Sequence, residues 1–215
     1  VNGSIRTDHD IHAAHEMRKV CKAIIAFGTC PVYGGPQGAG YAHTTDELLD
    51  GAFRANASTA TTEVPTEVPQ LLERNRPLDS EIEVDLYIPG CPPHAAYIFE
   101  GLTSLLRQRE PKIGRHNVCF NCNRTMVKTD VSEIRRAHEG DFDPEVCFLS
   151  QGALCFGSVT LDRCMAPCPQ VGVPCFSCGG PSETVILEPQ KDVRSEVGQR
   201  MAHLTQIPYE TIVKT

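Results

Sequence analysis

The chain has 215 residues, of which 40% are hydrophobic, and a formal net charge of -7. At about 100–200 residues per domain, that length allows one sizeable core plus an appendage. The negative balance gives no electrostatic case for nucleic acid or an anionic membrane surface as partner. The longest apolar run, AIIAF at 23–27, is far short of the roughly 20 residues of a membrane span, and VNGSIRTDHD lacks a signal peptide's apolar core, so no membrane span and a cytoplasmic location are expected.

Residues 8–21 place Ile11, Ala14, Met17 and Cys21 near helical spacing, with Asp8 or Asp10 able to cap the start; Cys21 reads there as a small apolar side chain. KAIIAFG at 22–28 is continuously apolar and breaks into Gly28, then Gly34, Gly35, Gly38 and Gly40. That pattern predicts a buried parallel strand ending in a loop at its carboxyl edge, where open α/β sheets build their sites. A weaker helix is expected over 45–53, then a Thr- and Pro-rich connector over 57–70, and a second strand, IEVDLYI, over 82–88. After PGCPPH, Ile98, Leu102, Leu105 and Leu106 mark one face of a helix. Two strand–loop–helix units imply a parallel α/β domain over 1–114. Residues 115–181 lose periodicity and become rich in Cys, Gly and Pro, as expected of a stretch that folds around something other than a hydrophobic core. Residues 182–215 predict a helix over 192–204 and then IPYETIVKT, a packing or docking tail.

Eleven cysteines dominate the chemistry, eight of them between Cys119 and Cys178. A disulfide framework expects a signal peptide and usually an even cysteine count, and neither is met. Cys119 and Cys122 form a C-x2-C pair, Cys175 and Cys178 another; Cys147 and Cys155 lie between them, and Cys164-x3-Cys168-Pro169 matches the end of the bacterial ferredoxin run. Eight thiols divide into two sets of four, the requirement of two [4Fe-4S] cubanes, and the ferredoxin pattern assigns Cys164 and Cys168 to different clusters. Four thiolates are equally competent for structural zinc, although a zinc ribbon sets its pairs about 15–20 residues apart, far closer than Cys119/Cys122 and Cys175/Cys178. Cys30 and Cys91 each follow a predicted strand, in AFGTCPVYGG and YIPGCPPH, and together read as half of another four-thiol site. The histidines are scattered; His94, beside Cys91, is the one placed to matter. No Walker loop and no G-x-G-x-x-G is present, so no nucleotide cofactor is indicated.

GTCPVYGG, IPGCPP, NVCFNC and the DPEVCFLSQGALCFGSVTLDRCMAPCPQVGVPCFSCGGP run, in that order, resemble the small subunit of cytoplasmic group 3 [NiFe] hydrogenases, above all the methyl-viologen-reducing type partnered with heterodisulfide reductase; the resemblance spans about residues 3–181. It implies a flavodoxin-like parallel-sheet domain, here partial, followed by a Cys-rich ferredoxin-like two-cluster domain over 115–181 and a helical tail over 182–215. By the same resemblance, Cys30 and Cys91 are proximal-cluster ligands, and Cys119, Cys122, Cys147, Cys155, Cys164, Cys168, Cys175 and Cys178 hold medial and distal [4Fe-4S] clusters. The family's proximal site opens with an upstream C-x-x-C that nothing before Cys21 supplies, so a third cluster is expected only if an upstream or separate segment donates two thiolates. The implied function is electron relay inside an oxidoreductase complex, with the catalytic centre on a [NiFe]-type large subunit. Electrons would leave to an acceptor subunit, of which a [2Fe-2S] protein with heterodisulfide reductase is one form. The alternatives are a zinc-stabilised interaction module and a hydrogenase-like scaffold without hydrogenase activity.

Overall fold

In a computed structural model that describes residues 1–58, 63–188 and 190–214, strand β1 (Ile5–Thr7) runs directly into helix α1 (Asp8–Val20). The hinge is a capping box: Thr7 Oγ1 accepts the Asp10 N–H at 3.2 Å while Asp10 Oδ2 accepts the Thr7 N–H at 2.8 Å. Thr7 is therefore the cap and Asp10 its third-position partner, correcting the expectation that Asp8 or Asp10 caps. Asp8 and Asp10 in the first turn and Arg18 and Lys19 in the last suit the helix dipole. Cys21 closes the helix as an exposed C-cap rather than an apolar contact.

Strand β2 (Ile25–Phe27), helix α2 (Thr29–Tyr33), helix α3 (Thr45–Leu49), strand β3 (Leu71–Arg76) and strand β4 (Leu86–Ile88) follow. β2 and β4 pair in parallel with Phe27 opposite Ile88, as the α/β reading requires. β1 and β3 form a separate antiparallel pair that the sequence pattern does not announce. The predicted strand over 82–88 shrinks to its last three residues: the Ile82 N–H closes the preceding 3-10 turn onto Leu78 O, and the Asp85 carboxylate takes the Ile24 N–H and Arg18. The helix expected over 45–53 ends at Leu49 and continues as a π turn through Arg54. Part of the connector, residues 59–62, lies outside the described residues.

Compactness divides the chain at Val1–Cys91 and Pro92–Thr215, whereas composition changes later, near Arg115. In the first unit Ile5, Ala14, Ile24, Ala26, Leu78 and Ile82 make the core. The second holds helices α4 (Ala95–Leu106), α5 (Pro167–Gln170), α6 (Glu183–Leu187), α7 (Val193–Leu204) and α8 (Tyr209–Ile212). Its loops are joined by isolated bridges such as Asn117 with Leu161 and Thr125 with Val146. Contrary to the coreless expectation, this unit has an apolar core: Val197, Met201 and Leu204 of α7 pack with Val118, Phe148, Val159, Cys155 and Cys175. The C-terminal helices are thus part of the Cys-rich fold. On α4 the buried positions are Gly101 and Ser104, while Leu102 and Leu106 of the expected apolar face are exposed. Among the described residues no helix is long and apolar enough to cross a membrane.

Candidate metal centre

The parallel register sets the first thiol pair. Cys30 lies three residues beyond Phe27 and Cys91 three beyond Ile88, and those two residues are partners across β2 and β4. The loops are also stapled: the Gly28 N–H donates to Ile88 O at 2.8 Å, the Thr29 N–H to Gly90 O at 2.9 Å, and the Gly90 N–H to Thr29 Oγ1 at 3.1 Å. Cys91 is exposed and Cys30 half-buried. Gly35, at φ +63°, packs against Cys30, and a Cβ there would lie 2.6 Å from Cys30 Sγ. Asn75, buried on β3, fixes the same loop by donating its amide to Gly34 O at 2.7 Å. His94, the histidine singled out by sequence, is an N-cap: its Nδ1 accepts the Ala96 N–H at 3.2 Å.

The eight later cysteines fall into two neighbourhoods. Burial first, then the charge of Cys155, Cys147 and Cys122, pushes the Cys119 thiol up to about 12. Cys155 is pushed up to about 11, again chiefly by burial, with Cys175 and Cys147 adding repulsion. Gly157 sits between these sulfurs, its Cβ position 3.4 Å from Cys119 Sγ and 3.7 Å from Cys155 Sγ. Around Cys164 the neighbouring thiols are Cys178 and Cys168, and around Cys175 they are Cys164 and Cys168; burial leads the upward shift of both. Cys164 and Cys168 lie close enough for the charge of one to act on the other. The two neighbourhoods touch where the Cys175 N–H donates to Cys155 Sγ at 3.3 Å.

Backbone amides converge on the sulfurs. Cys147 receives those of Leu149 and Ser150, Cys155 that of Gly157, Cys164 that of Ala166, and Cys175 that of Ser177. Met165, Ala166 and Ser177 adopt left-handed φ of 62°, 53° and 64°, and such turns form concave amide nests that bind anions. Ser158 Oγ, next to Gly157, is buried without a hydrogen-bond partner among the described residues. Crowded thiols stay protonated unless a cation balances them, and amides aimed at sulfur suit thiolates bound to a metal cluster. This donor set fits thiolate-ligated iron–sulfur clusters. Among the described residues no group of three or more His, Cys, Asp or Glu is arranged to hold a metal ion.

Two residues without a motif of their own organise the loops. Arg124 donates from Nε to Pro169 O at 3.0 Å and from one terminal nitrogen to Asp143 O and Val146 O, with its guanidinium 4.0 Å from the Phe148 ring centre. It ties the Cys122, Cys147 and Cys168 segments together. Asp162, almost fully buried, accepts the Cys164 N–H at 3.2 Å and the Met165 N–H at 2.9 Å on Oδ1, and the Asn121 side-chain amide on Oδ2. The signal available in the sequence is an Asp two residues before a loop cysteine, an Asx-turn pattern.

Residues 1–105 match the family described as NADH ubiquinone oxidoreductase, 20 Kd subunit. The chain is 40% identical over 184 residues to the G subunit of the vhu F420-non-reducing hydrogenase of Methanocaldococcus jannaschii, covering 85% of this chain and 64% of that protein. It is 36% identical over 188 residues to the corresponding vhu protein of Methanococcus voltae, covering 86% and 66%. The chain thus spans slightly less than two thirds of the length of these curated relatives. A crystal structure of an NAD+-reducing [NiFe]-hydrogenase in the H2-reduced state aligns at 31% identity and a TM-score of 0.49, over 53% of this chain and 65% of that one. Over most of its length the chain is thus similar to the G subunits of F420-non-reducing hydrogenases, and over residues 1–105 to the family described as NADH ubiquinone oxidoreductase, 20 Kd subunit.

Proposed function

We propose that this chain is the electron-transfer iron–sulfur subunit of a hydrogenase-type oxidoreductase complex, working in the cytoplasm. In this reading Cys119, Cys122, Cys147 and Cys155 hold one [4Fe-4S] cluster and Cys164, Cys168, Cys175 and Cys178 a second. Cys30 and Cys91 supply two thiolates of a third, whose other ligands come from a further segment. When bound, such clusters accept and release one electron each. The chain's own residues exclude water, aim amides at the sulfurs and hold the two thiol neighbourhoods in contact at Cys155 and Cys175. Substrate chemistry belongs to a [NiFe]-type large subunit, and an acceptor subunit takes the electrons. The flavodoxin-like character of the first unit and the ferredoxin-like character of the second are part of the same reading.

The observation that supports it is the gathering of the later cysteines in amide-lined loops, where Cys155, Cys147 and Cys122 act on Cys119, and Cys178 and Cys168 act on Cys164. Structural zinc is the second reading, because four thiolates serve it equally. Protein purified without oxygen is expected to show a broad absorbance near about 400 nm that bleaches on reduction, with about eight irons per chain. Cys147→Ser and Cys178→Ser should each remove about four of those irons. A colourless zinc protein overturns the proposal, and loss of all iron from either variant overturns the division into two sets.

A further inference from the structure

Ser158 carries a hydroxyl whose proton has no destination within the protein. The residue is 7% exposed, and among the described residues its Oγ has no hydrogen-bond partner, cysteine sulfurs included. Other hydroxyls of the Cys-rich loops are committed: Thr160 Oγ1 donates to Phe156 O at 2.6 Å, Thr129 Oγ1 donates to Ser150 O at 2.6 Å, and Ser150 Oγ accepts the Val127 N–H at 3.1 Å. Ser182 Oγ, at the start of α6, is also unpartnered; position sets Ser158 apart. It follows Gly157, whose Cβ position lies 3.4 Å from Cys119 Sγ and 3.7 Å from Cys155 Sγ, and whose N–H serves the Cys155 sulfur. The segment is tied to the Cys119 loop, since Ser158 O accepts the Asn117 side-chain amide at 3.1 Å and the Val118 N–H donates to Thr160 O at 3.0 Å. A buried hydroxyl without an acceptor costs free energy that Ala would not incur, so it marks an acceptor from outside the chain. No cysteine sulfur takes this proton, and the other acceptors of an iron–sulfur cluster are its inorganic sulfides.

We propose that the Ser158 hydroxyl donates a hydrogen bond to an inorganic sulfide of the cluster held through Cys119 and Cys155, and raises the reduction potential of that cluster. The inference rests on the cluster reading above and adds to it a side chain that sets a potential. Reduction places more negative charge on the sulfides, and a donor bonds more strongly as that charge grows, so the reduced form gains more than the oxidised form. The hydroxyl is neutral in both states, and no side chain has to change protonation. A hydrogen bond acts only at contact range, so the effect falls on one cluster and leaves the other at its own potential.

The test is a redox titration of the full chain, isolated anaerobically with its clusters and followed by electron paramagnetic resonance, with iron counted in each variant. In Ser158→Ala iron is retained, one midpoint moves down and the other stays; the one that moves is the midpoint that persists in Cys178→Ser. Electron–nuclear double resonance on the reduced protein then shows one proton coupling exchangeable in heavy water fewer than in the unsubstituted chain. Ser158→Thr keeps the hydroxyl, and with it both midpoints. Unmoved midpoints, an upward shift, equal shifts of both, a shift of the other midpoint alone, or a shift with every exchangeable coupling retained overturn the proposal while the cluster reading stands. If Ser158→Ala loses iron, Ser158→Thr decides: iron and both midpoints kept support the proposal, and iron lost or a midpoint moved overturns it. An unsubstituted chain without iron, or loss of all iron from Cys178→Ser, brings down the cluster reading and this inference together.

Discussion

Gly35 shows how little room surrounds the Cys30 thiol. Its φ of +63° is one that residues with a Cβ rarely adopt, and an added Cβ would stand 2.6 Å from Cys30 Sγ and 2.9 Å from Cys30 Cα. The sulfur could swing aside, but the Cα could not. Gly35→Ala is expected to cost about 1–3 kcal/mol and to displace the thiol. Urea unfolding and the rate of Cys30 labelling by a maleimide read both effects; unchanged values for each would contradict the packing. Glu100 supplies a pH signature. Hydrogen bonds from Arg109 and from the Lys112 N–H, set against some desolvation, hold its carboxyl at about 2 instead of the ordinary 4.5. A lowered folded pKa means that the unfolded chain binds the proton more readily. The stabilisation is therefore complete above 4.5 and fades as pH falls toward about 2. Glu100→Gln should unfold at lower urea than the unsubstituted chain at about pH 7, and the gap should narrow steadily between about pH 4.5 and pH 2.5. A gap independent of pH would rule out the carboxylate as its cause.

Helix boundaries in this chain were largely legible, because a helix is announced by residues close to one another in sequence. α1 and α7 begin and end within a residue or two of the spans expected from spacing, each opened by a side-chain cap, Thr7 and Asp192. Thr7→Ala removes the hydroxyl half of the α1 box, leaving the backbone N–H of residue 7 on Asp10, and should cost about 1 kcal/mol, seen as faster hydrogen exchange at the first-turn amides of α1. Exchange unchanged there would mean that the contacts of β1 with β3 hold the helix start by themselves. Those strands were not legible. β1 has three residues, and the LLERNR of β3 shows no alternation; each is a strand only because Ile5 meets Arg76 and Thr7 meets Leu71 across more than sixty positions. The face of α4 was misjudged for a related reason. Periodicity finds an apolar stripe, but Gly101 and Ser104 are buried because small residues permit close approach, and Leu106 stays exposed.

At the scale of the molecule, the two compact units differ in what stabilises them. Val1–Cys91 closes over aliphatic side chains, whereas the core of Pro92–Thr215 includes Cys155 and Cys175 among Phe148, Val159 and Met201. Metal bound by thiolates contributes its binding free energy to folding. Anaerobic iron chelation is therefore expected to raise hydrogen exchange throughout 118–204 and to leave 5–27 unchanged. Equal loosening in both stretches, or none in either, would contradict this division of stability. Sequence by itself determined the inventory: a parallel strand pair with a cysteine after each strand, eight further cysteines in Gly- and Pro-rich turns, and helices at 8–20 and 193–204. All of these rest on spacing, capping and turn chemistry, which act over a few residues. Only the tertiary structure decided which thiols are neighbours, that α7 closes the Cys-rich core, and that Asp162 and Arg124 brace the loops. Those outcomes depend on pairings such as Val118 with Thr160 and Arg124 with Pro169, brought together by burial of side chains distant in the chain, and no local pattern encodes them.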